Sequence, residues 1–186
     1  MHEATKAIKR RGTEINSILF KGKGIDIGAG PDCINKHGFD AYNWDITDGD
    51  AQTMTGVKDN TYDFVHSSHC LEHMREPSLA LRQWIRICKP DGYIVVIVPD
   101  EELYEHNKWP SIFNSDHKWS FRMESTPTKH SLSVLGVLRN MFNAAITISV
   151  KRIEDKYDWN MSDMIDQTMP EDGPECSIEF ILRKHK

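Results

Sequence analysis

The sequence has no long hydrophobic run, no paired cysteines and no excess of positive charge. Its longest apolar stretch, residues 93–98, is far shorter than the roughly 20 residues of a membrane-spanning helix. The four cysteines show no C-x-x-C pair, so we expect reduced, mostly buried thiols of a cytoplasmic protein. No apolar stretch follows the basic residues near the N-terminus, so we expect no secretory signal. The net charge of −5 argues against nucleic acid as the main partner.

Strand-like and helix-like segments alternate along the 186 residues, which suffice for one full-sized core. This alternation predicts an α/β fold with a mostly parallel, doubly wound sheet and one antiparallel strand in the C-terminal pair. The turn-rich residues 48–59 predict a short or missing third strand. Predicted helices are 4–20, 79–88 and 132–142, and predicted strands are 24–27, 40–46, 62–67, 93–98, 145–152 and 177–183.

Residues 24–32, with the sequence GIDIGAGPD, carry the strongest functional signal. An apolar strand runs into a loop with Gly28 and Gly30, which lets backbone N–H groups approach a ligand and opens a helix that favours negative charge. Asp45 follows Asp26 by 19 positions, at the end of the second strand, where a carboxylate can accept from both ribose hydroxyls. The pattern therefore indicates a nucleoside-bearing cofactor.

The third glycine of the dinucleotide pattern G-x-G-x-x-G would stand at position 33, where the sequence has Cys33. This disfavours an NAD(P)-dependent oxidoreductase. The loop Gly49-Asp50-Ala51-Gln52 offers a polar edge for adenine, with a plain turn between strands as the alternative.

Five segments of the chain resemble class I S-adenosylmethionine-dependent methyltransferases of the small methyltransferase-domain type. They occur in the expected order, at 25–31, 44–45, 49–52, 63–74 and 86–93. The resemblance implies a Rossmann-like fold, with S-adenosyl-L-methionine as cofactor and S-adenosyl-L-homocysteine as product. It also implies cofactor contacts from the glycine loop and the neighbouring strand ends, namely Asp26, Gly28, Ala29, Gly30, Asp45, Asp50, Ala51, Ser67 and His69.

The histidines after the predicted strand 62–67 suggest a metal site at first sight. His66, His69, Cys70 and His73 match no zinc spacing, however, and Leu71-Glu72-His73 is favoured as a packing motif, so we expect no metal. His69 follows a strand at the ligand-binding edge of the sheet and is a candidate to orient or deprotonate the methyl acceptor. The alternative is a histidine that only covers the cofactor.

Residues 100–130 follow the most apolar strand and predict a substrate lid, because long aromatic connections of this kind are usually functional. His117 is a second catalytic candidate. Asp116 could hold an imidazole as a base, although adjacent residues point in different directions in an extended chain. Alternatively, the aromatic side chains only cap the sheet edge. The candidate substrate-binding residues are Tyr104, Trp109, Asn114, Asp116 and His117.

We therefore expect a single methyltransferase domain with four parts: an N-terminal helix, a cofactor-binding core, the lid, and a C-terminal helix with a strand pair (1–20, 24–99, 100–130 and 131–186). The expected reaction is in-line methyl transfer to a small-molecule or glycan acceptor. The pocket is closed by the lid alone or by a second subunit of a homodimer. A non-catalytic, cofactor-binding partner subunit is the main alternative. The basic residues Lys6, Lys9, Arg10 and Arg11 are expected to form a solvated helix face.

Overall fold

The computed structural model describes residues 2–124 and 129–186. Met1, in the predicted N-terminal helix, and residues 125–128, in the predicted lid, lie outside the described residues. Two short 3-10 turns, Ile34–His37 and Leu71–His73, accompany the regular elements. These elements are α1 (Glu3–Leu19), β1 (Gly24–Ile27), β2 (Ala41–Trp44), β3 (Tyr62–Ser68), α2 (Pro77–Ile87), β4 (Cys88–Pro99), β5 (Ser120–Arg122), β6 (Ser131–Ser133), α3 (Val134–Arg139), β7 (Ala145–Ile153) and β8 (Ser177–Lys184).

Six strands form one sheet in the order β2-β1-β3-β4-β8-β7. Strands β1 to β4 pair in parallel, whereas β8 runs antiparallel to both β4 and β7. The predicted mostly parallel sheet with an antiparallel C-terminal strand is therefore confirmed. No strand forms between Trp44 and Tyr62, a range that the structure describes in full, so the shortened third-strand region is confirmed as well.

The sheet buries apolar side chains on both faces. Ile25 and Val65 point to the face covered by α2, where Trp84 is completely buried. Phe64, the residue before Val65 in β3, points to the opposite face beneath α1, and so does Val95 in β4. This alternation follows from the two-residue period of a strand and accounts for the continuously apolar sequence of central β4, which is covered on both sides.

Helix α1 is kinked at Gly12, whose φ of 75° is not helical. Beyond the kink Ile15 and Ile18 are exposed to solvent, whereas Leu19 is buried, so the predicted apolar stripe is interrupted. Among the described residues, no helix is long and apolar enough to cross a membrane.

The expected solvated basic face of α1 is wrong for three of its four residues. Lys6 and Arg11 are buried, and only Lys9 is exposed. The side chain of Lys6 donates to backbone carbonyl oxygens of the 168–174 loop. Arg10 donates to the carboxylates of Glu175, just before β8, and Glu179, on β8. Buried carboxylates and carbonyl oxygens attract these side chains, because a buried charge is stable only when it is paired.

The predicted helix 132–142 is shorter than expected and begins at Val134. Residues 131–133 instead pair with β5. The side chain of Ser133 then accepts the Gly136 N–H at 3.0 Å, which is the geometry of a helix N-cap.

Candidate active site

The parallel strands β1, β2 and β3 have their carboxyl ends side by side at one edge of the sheet. From β1 the chain goes first to β2 on one side and then to β3 on the other. Gly28 follows β1, Asp45 follows β2, and His69 follows β3, on the other side of β1. Open α/β sheets bind ligands at such a point, because the connections on either side of it diverge and leave a crevice.

The glycine loop has a backbone that only glycine adopts readily. Gly28 has a φ of +71°, and a Cβ added there would lie 2.6 Å from the Cβ of Cys70. The N–H groups of Gly28 and Ala29 both donate to the carbonyl oxygen of Trp44, at 2.9 and 3.2 Å. These bonds tie the loop to the end of β2.

Two adjoining cavities, which share Gly28, Gly30 and His69, lie above the loop. The smaller has a volume of about 180 Å³ and reaches Glu3 at the start of α1. The larger has a volume of about 810 Å³, within the range of roughly 300–1,000 Å³ for small-molecule sites. Its polar and charged lining consists of Asp45, Asp50, His69, His73, Arg75, Asp116 and Lys118.

The two predicted cofactor carboxylates occupy different environments. Asp45 is exposed in the larger cavity, and its Oδ2 accepts the Gly30 N–H at 3.2 Å. Asp26 is only 2% exposed, and its carboxylate accepts the Ile34 N–H at 2.9 Å and the His66 Nδ1–H at 2.6 Å. Asp45 is therefore free to meet a ligand in the larger cavity, whereas Asp26 braces the glycine loop and, with Ala29, lines the smaller cavity.

The predicted adenine loop also lies on the larger cavity. Asp50 and Ala51 both line it. Asp50 accepts a hydrogen bond from Arg75 at 3.2 Å, and the Ala51 carbonyl oxygen accepts the indole N–H of Trp84 at 2.9 Å. The second bond anchors the loop to the core, so its exposed edge has a defined position.

Several other predicted residues do not reach the cavities. Ser67 is fully buried because the pleat of β3 turns its side chain into the core, where the hydroxyl donates to the Ile27 carbonyl oxygen. The next residue, Ser68, lines the smaller cavity instead. Two residues of the predicted lid also lie outside both cavities. Tyr104 is buried, and the ring of Trp109 stacks on that of His130 with centroids 4.9 Å apart.

Of the five predicted substrate residues, the structure brings Asp116 alone to the larger cavity. Asn114 is half-buried, and its side chain accepts the N–H of Asp116 at 3.1 Å. The side chain of His117 is 1% exposed and lies behind the cavity wall. Backbone bonds from Lys118 and Trp119 to the carbonyl oxygen of Glu72 hold this part of the segment in place.

Asp116 and His117 do not pair with each other, because adjacent side chains point in opposite directions. The Nδ1–H of His117 donates instead to Glu105 at 2.6 Å, and the Nδ1–H of His73 donates to Asp116 at 2.8 Å. Both Nε2 atoms face the buried carboxyl group of Glu72, at 3.8 Å from His117 and 3.9 Å from His73. His69 approaches the same carboxyl oxygen, with its Nδ1 at 3.7 Å.

Burial and mutual charge shift the protonation of these groups. Burial, with smaller contributions from the charges of His117 and Lys6, lowers the pKa of His69 to about 3, so its imidazole is neutral at pH 7. Burial raises the pKa of Glu72, although His117 counteracts it. Burial also opposes the charge of His117, but its hydrogen bond to Glu105 and the charge of Glu72 prevail and raise its pKa.

Sequence reasoning missed Glu3, Glu72 and Glu105, which face these histidines from three parts of the chain. Glu3 comes from the N-terminus, and its Oε2 lies 3.9 Å from the Nε2 of His69. Nothing in the local sequence marks Glu3. Glu72 was interpreted as part of a packing motif, and its complete burial was the property that the sequence pattern could not reveal.

The chain belongs to the methyltransferase-domain family, whose family model matches residues 2–144. Its fold is similar to that of a SAM-dependent methyltransferase from Archaeoglobus fulgidus, with 20% identity, a TM-score of 0.59, and coverage of 99% of this chain and 95% of the other. A protein from Listeria monocytogenes assigned as an S-adenosylmethionine-dependent methyltransferase gives 13% identity, a TM-score of 0.60, and coverage of 100% and 99%. Nothing among curated proteins matches the sequence.

The family establishes the protein as an enzyme that uses S-adenosylmethionine, which decides against the nicotinamide alternative. The residues present fit this cofactor. Gly28 and Gly30 leave the loop without side chains at its closest point, and Asp45 presents an exposed carboxylate at the end of β2. Burial raises the pKa of the Cys70 thiol to about 12, so the wall beside the loop is neutral there.

Proposed function

We propose that the protein methylates a small-molecule or glycan acceptor in the larger cavity. The continuity of this cavity is the observation that carries the proposal: it runs from the glycine loop, past His69, to Asp116 and Lys118. Its volume of about 810 Å³ suits the adenosyl part of a cofactor together with a compact acceptor group. The polar and charged groups at its far end suit a hydroxylated or charged acceptor.

S-adenosylmethionine supplies a methyl group already activated by a positively charged sulfur. The proposed cofactor contacts are the ribose with Asp45, the adenine edge with Asp50 and Ala51, and the methionine end with Gly28 and Gly30. The chain then contributes mainly by alignment, since holding two reactants in line can supply about 7–11 kcal/mol in favourable systems.

His69 is the proposed catalytic residue, because it lines both cavities and neither of its nitrogens has a hydrogen-bond partner within residues 2–124 and 129–186. The neutral imidazole can accept a hydrogen bond from an acceptor hydroxyl and orient its oxygen. His117 does not reach the cavities and acts as a positioning residue through Glu72. Asp116 and Lys118 are the contribution of the predicted lid segment to acceptor binding.

Transfer of a radiolabelled methyl group tests the proposal. The purified enzyme is incubated with labelled S-adenosylmethionine and separate panels of sugars, nucleotide sugars, phenols, amines, proteins and nucleic acids. We expect transfer to one of the small-molecule panels, with a large loss of turnover in His69→Ala and retained affinity for S-adenosylhomocysteine. Transfer confined to the protein or nucleic-acid panel would overturn the acceptor class.

Two further features remain proposals. The four free, buried cysteines support a reducing compartment such as the cytoplasm. Closure of the pocket by a second copy of the chain is tested by light scattering in the presence and absence of S-adenosylhomocysteine.

A further inference from the structure

One donor atom from each of Glu72, His73 and His117 lies within 4.8 Å of the other two. The Oε1 atom of Glu72 is 3.9 Å from His73 Nε2 and 3.8 Å from His117 Nε2. Two ligand atoms at about 2.1 Å from a tetrahedral ion are separated by about 3.4 Å. The carboxylate–imidazole distances are therefore within a few tenths of an ångström of those in a coordinated triad, and too long for direct hydrogen bonds.

The carboxyl group of Glu72 is completely buried, and neither of its oxygens has a hydrogen-bond partner among the residues that the structure describes. Such a group is costly unless something satisfies it. Its Oε1 is directed at the Nε2 atoms of the two histidines, and His69 Nδ1, also without a partner, lies 3.7 Å from the same oxygen. Two of these unsatisfied atoms, Glu72 Oε1 and His69 Nδ1, thus lie close to each other, and Glu72 Oε1 also lies beside the Nε2 atoms of His73 and His117.

The far side of each imidazole is held by a second carboxylate. His73 Nδ1–H donates to Asp116 at 2.8 Å, and His117 Nδ1–H donates to Glu105 at 2.6 Å. A proton fixed on Nδ1 leaves the Nε2 lone pair free, and metal-bound histidines almost always have this arrangement. Both free Nε2 atoms then face Glu72.

We propose that Glu72, His73 and His117 bind a divalent transition-metal ion with the preferences of zinc. Two imidazoles and one carboxylate form the ligand set of zinc sites that keep a fourth position open. His73 and Asp116 line the larger cavity, so the ion is accessible from the side where the acceptor is proposed to bind. An acceptor oxygen in the fourth position would be oriented and made more acidic by the ion, a role that rests on the proposed function.

This site differs from the histidine group considered in the sequence. The imidazole of His66 donates to Asp26 at 2.6 Å, and neither His66 nor Cys70 belongs to the group of converging donor atoms. Glu72 and His117 replace them, and only the fold brings these two together.

Metal content tests the proposal directly. The full chain, without an affinity tag, is stripped with a chelator, equilibrated with excess Zn²⁺, freed of loose metal by gel filtration and analysed by mass spectrometry. The variants are Glu72→Gln, His73→Ala, His117→Ala and Glu105→Gln. The matched control is His185→Ala, which removes an exposed histidine far along the chain. Co²⁺ loading gives a second readout through its visible absorption.

We expect about one equivalent of zinc in the wild type and in the His185→Ala control, as for a structurally defined site. Glu72→Gln and His73→Ala should lose it, and Glu105→Gln should weaken the affinity by about 10–100-fold. His73 is partly exposed, so its variant remains informative if the buried His117→Ala variant does not fold.

The proposal is overturned if the wild type retains no stoichiometric zinc, or if the Glu72 and His73 variants retain as much as the control. The second result would mean that the histidines and carboxylates form only an ion-pair cluster and that zinc binds elsewhere on the surface. Because neither readout measures methyl transfer, a negative result leaves the proposed acceptor class to its own test.

Discussion

Asp45→Ala should weaken the binding of S-adenosylhomocysteine and leave the fold intact. Asp45 is exposed after β2 and lines the larger cavity, where its carboxylate is proposed to accept from the ribose hydroxyls. A hydrogen bond to a charged group is worth about 1.5–3 kcal/mol. We expect a net loss of about 2 kcal/mol, because water replaces part of the contact, which corresponds to a Kd about 30-fold higher.

The cost to folding should be small. In the described part of the chain the Asp45 carboxylate accepts two backbone N–H groups, those of Gly30 and Ile46, at 3.2 and 2.8 Å. Both lie at an exposed turn where water can take over, so the loss should stay below about 1 kcal/mol and the Tm should fall by no more than about 4 °C.

Titration calorimetry with S-adenosylhomocysteine is the assay, with Asp40→Ala as the matched control. Asp40 is an exposed carboxylate at the opposite end of the same strand, away from both cavities. The reasoning is refuted if Asp45→Ala binds within about twofold of the wild type. An equal loss in Asp40→Ala would refute it too, because the effect would then come from net charge.

Three other substitutions test the loop, the core and the contact of α1 with β8. Gly28→Ala should abolish cofactor binding in calorimetry, because a residue with φ of +71° favours glycine and the new Cβ would lie 2.6 Å from Cys70. Trp84→Ala should lower the unfolding free energy in urea by about 3–5 kcal/mol, since the indole is completely buried. Burial raises the pKa of Glu179, but hydrogen bonds and charges from Arg10 and Arg11 outweigh it and hold the pKa below the ordinary 4.5. The ionised Glu179 therefore stabilises the fold fully above the pKa that it has in the unfolded chain, and this contribution is lost as the pH falls through its pKa in the folded protein. The difference in unfolding free energy between wild type and Glu179→Gln should thus shrink below about pH 4.

The first and third of these predictions each have a contrasting variant. Gly38→Ala has a similar φ of +87° but meets nothing within 4 Å, so cofactor binding should persist. Glu171→Gln removes an exposed partner of Lys9 and should have little effect on unfolding at any pH. A Gly28→Ala protein that still binds cofactor, a pH-independent Glu179→Gln difference, or a Trp84→Ala loss below about 1 kcal/mol would contradict the structural reasoning.

Much of the fold could be predicted because its causes are local. The alternation of strands and helices, the apolar β4 and the turn-rich 48–59 each reflect side-chain period or backbone preference over a few residues. The kink of α1 was not predicted, because an isolated glycine such as Gly12 is tolerated in many helices. The basic residues of α1 were misjudged because Lys6 and Arg10 find partners more than 160 positions away in the chain.

The sequence by itself determined the glycine loop and the position of Asp45, because strand ends and positive φ angles depend on the preferences of neighbouring residues. Only the tertiary structure decided which charged groups meet. His73 and Asp116 are 43 positions apart, and His117 turns to Glu105 and Glu72 because successive side chains point in opposite directions. Burial then leaves the Glu72 carboxylate between two imidazoles, with no hydrogen-bond partner among the described residues, and burial is a property of the packed chain that no short pattern of residues contains.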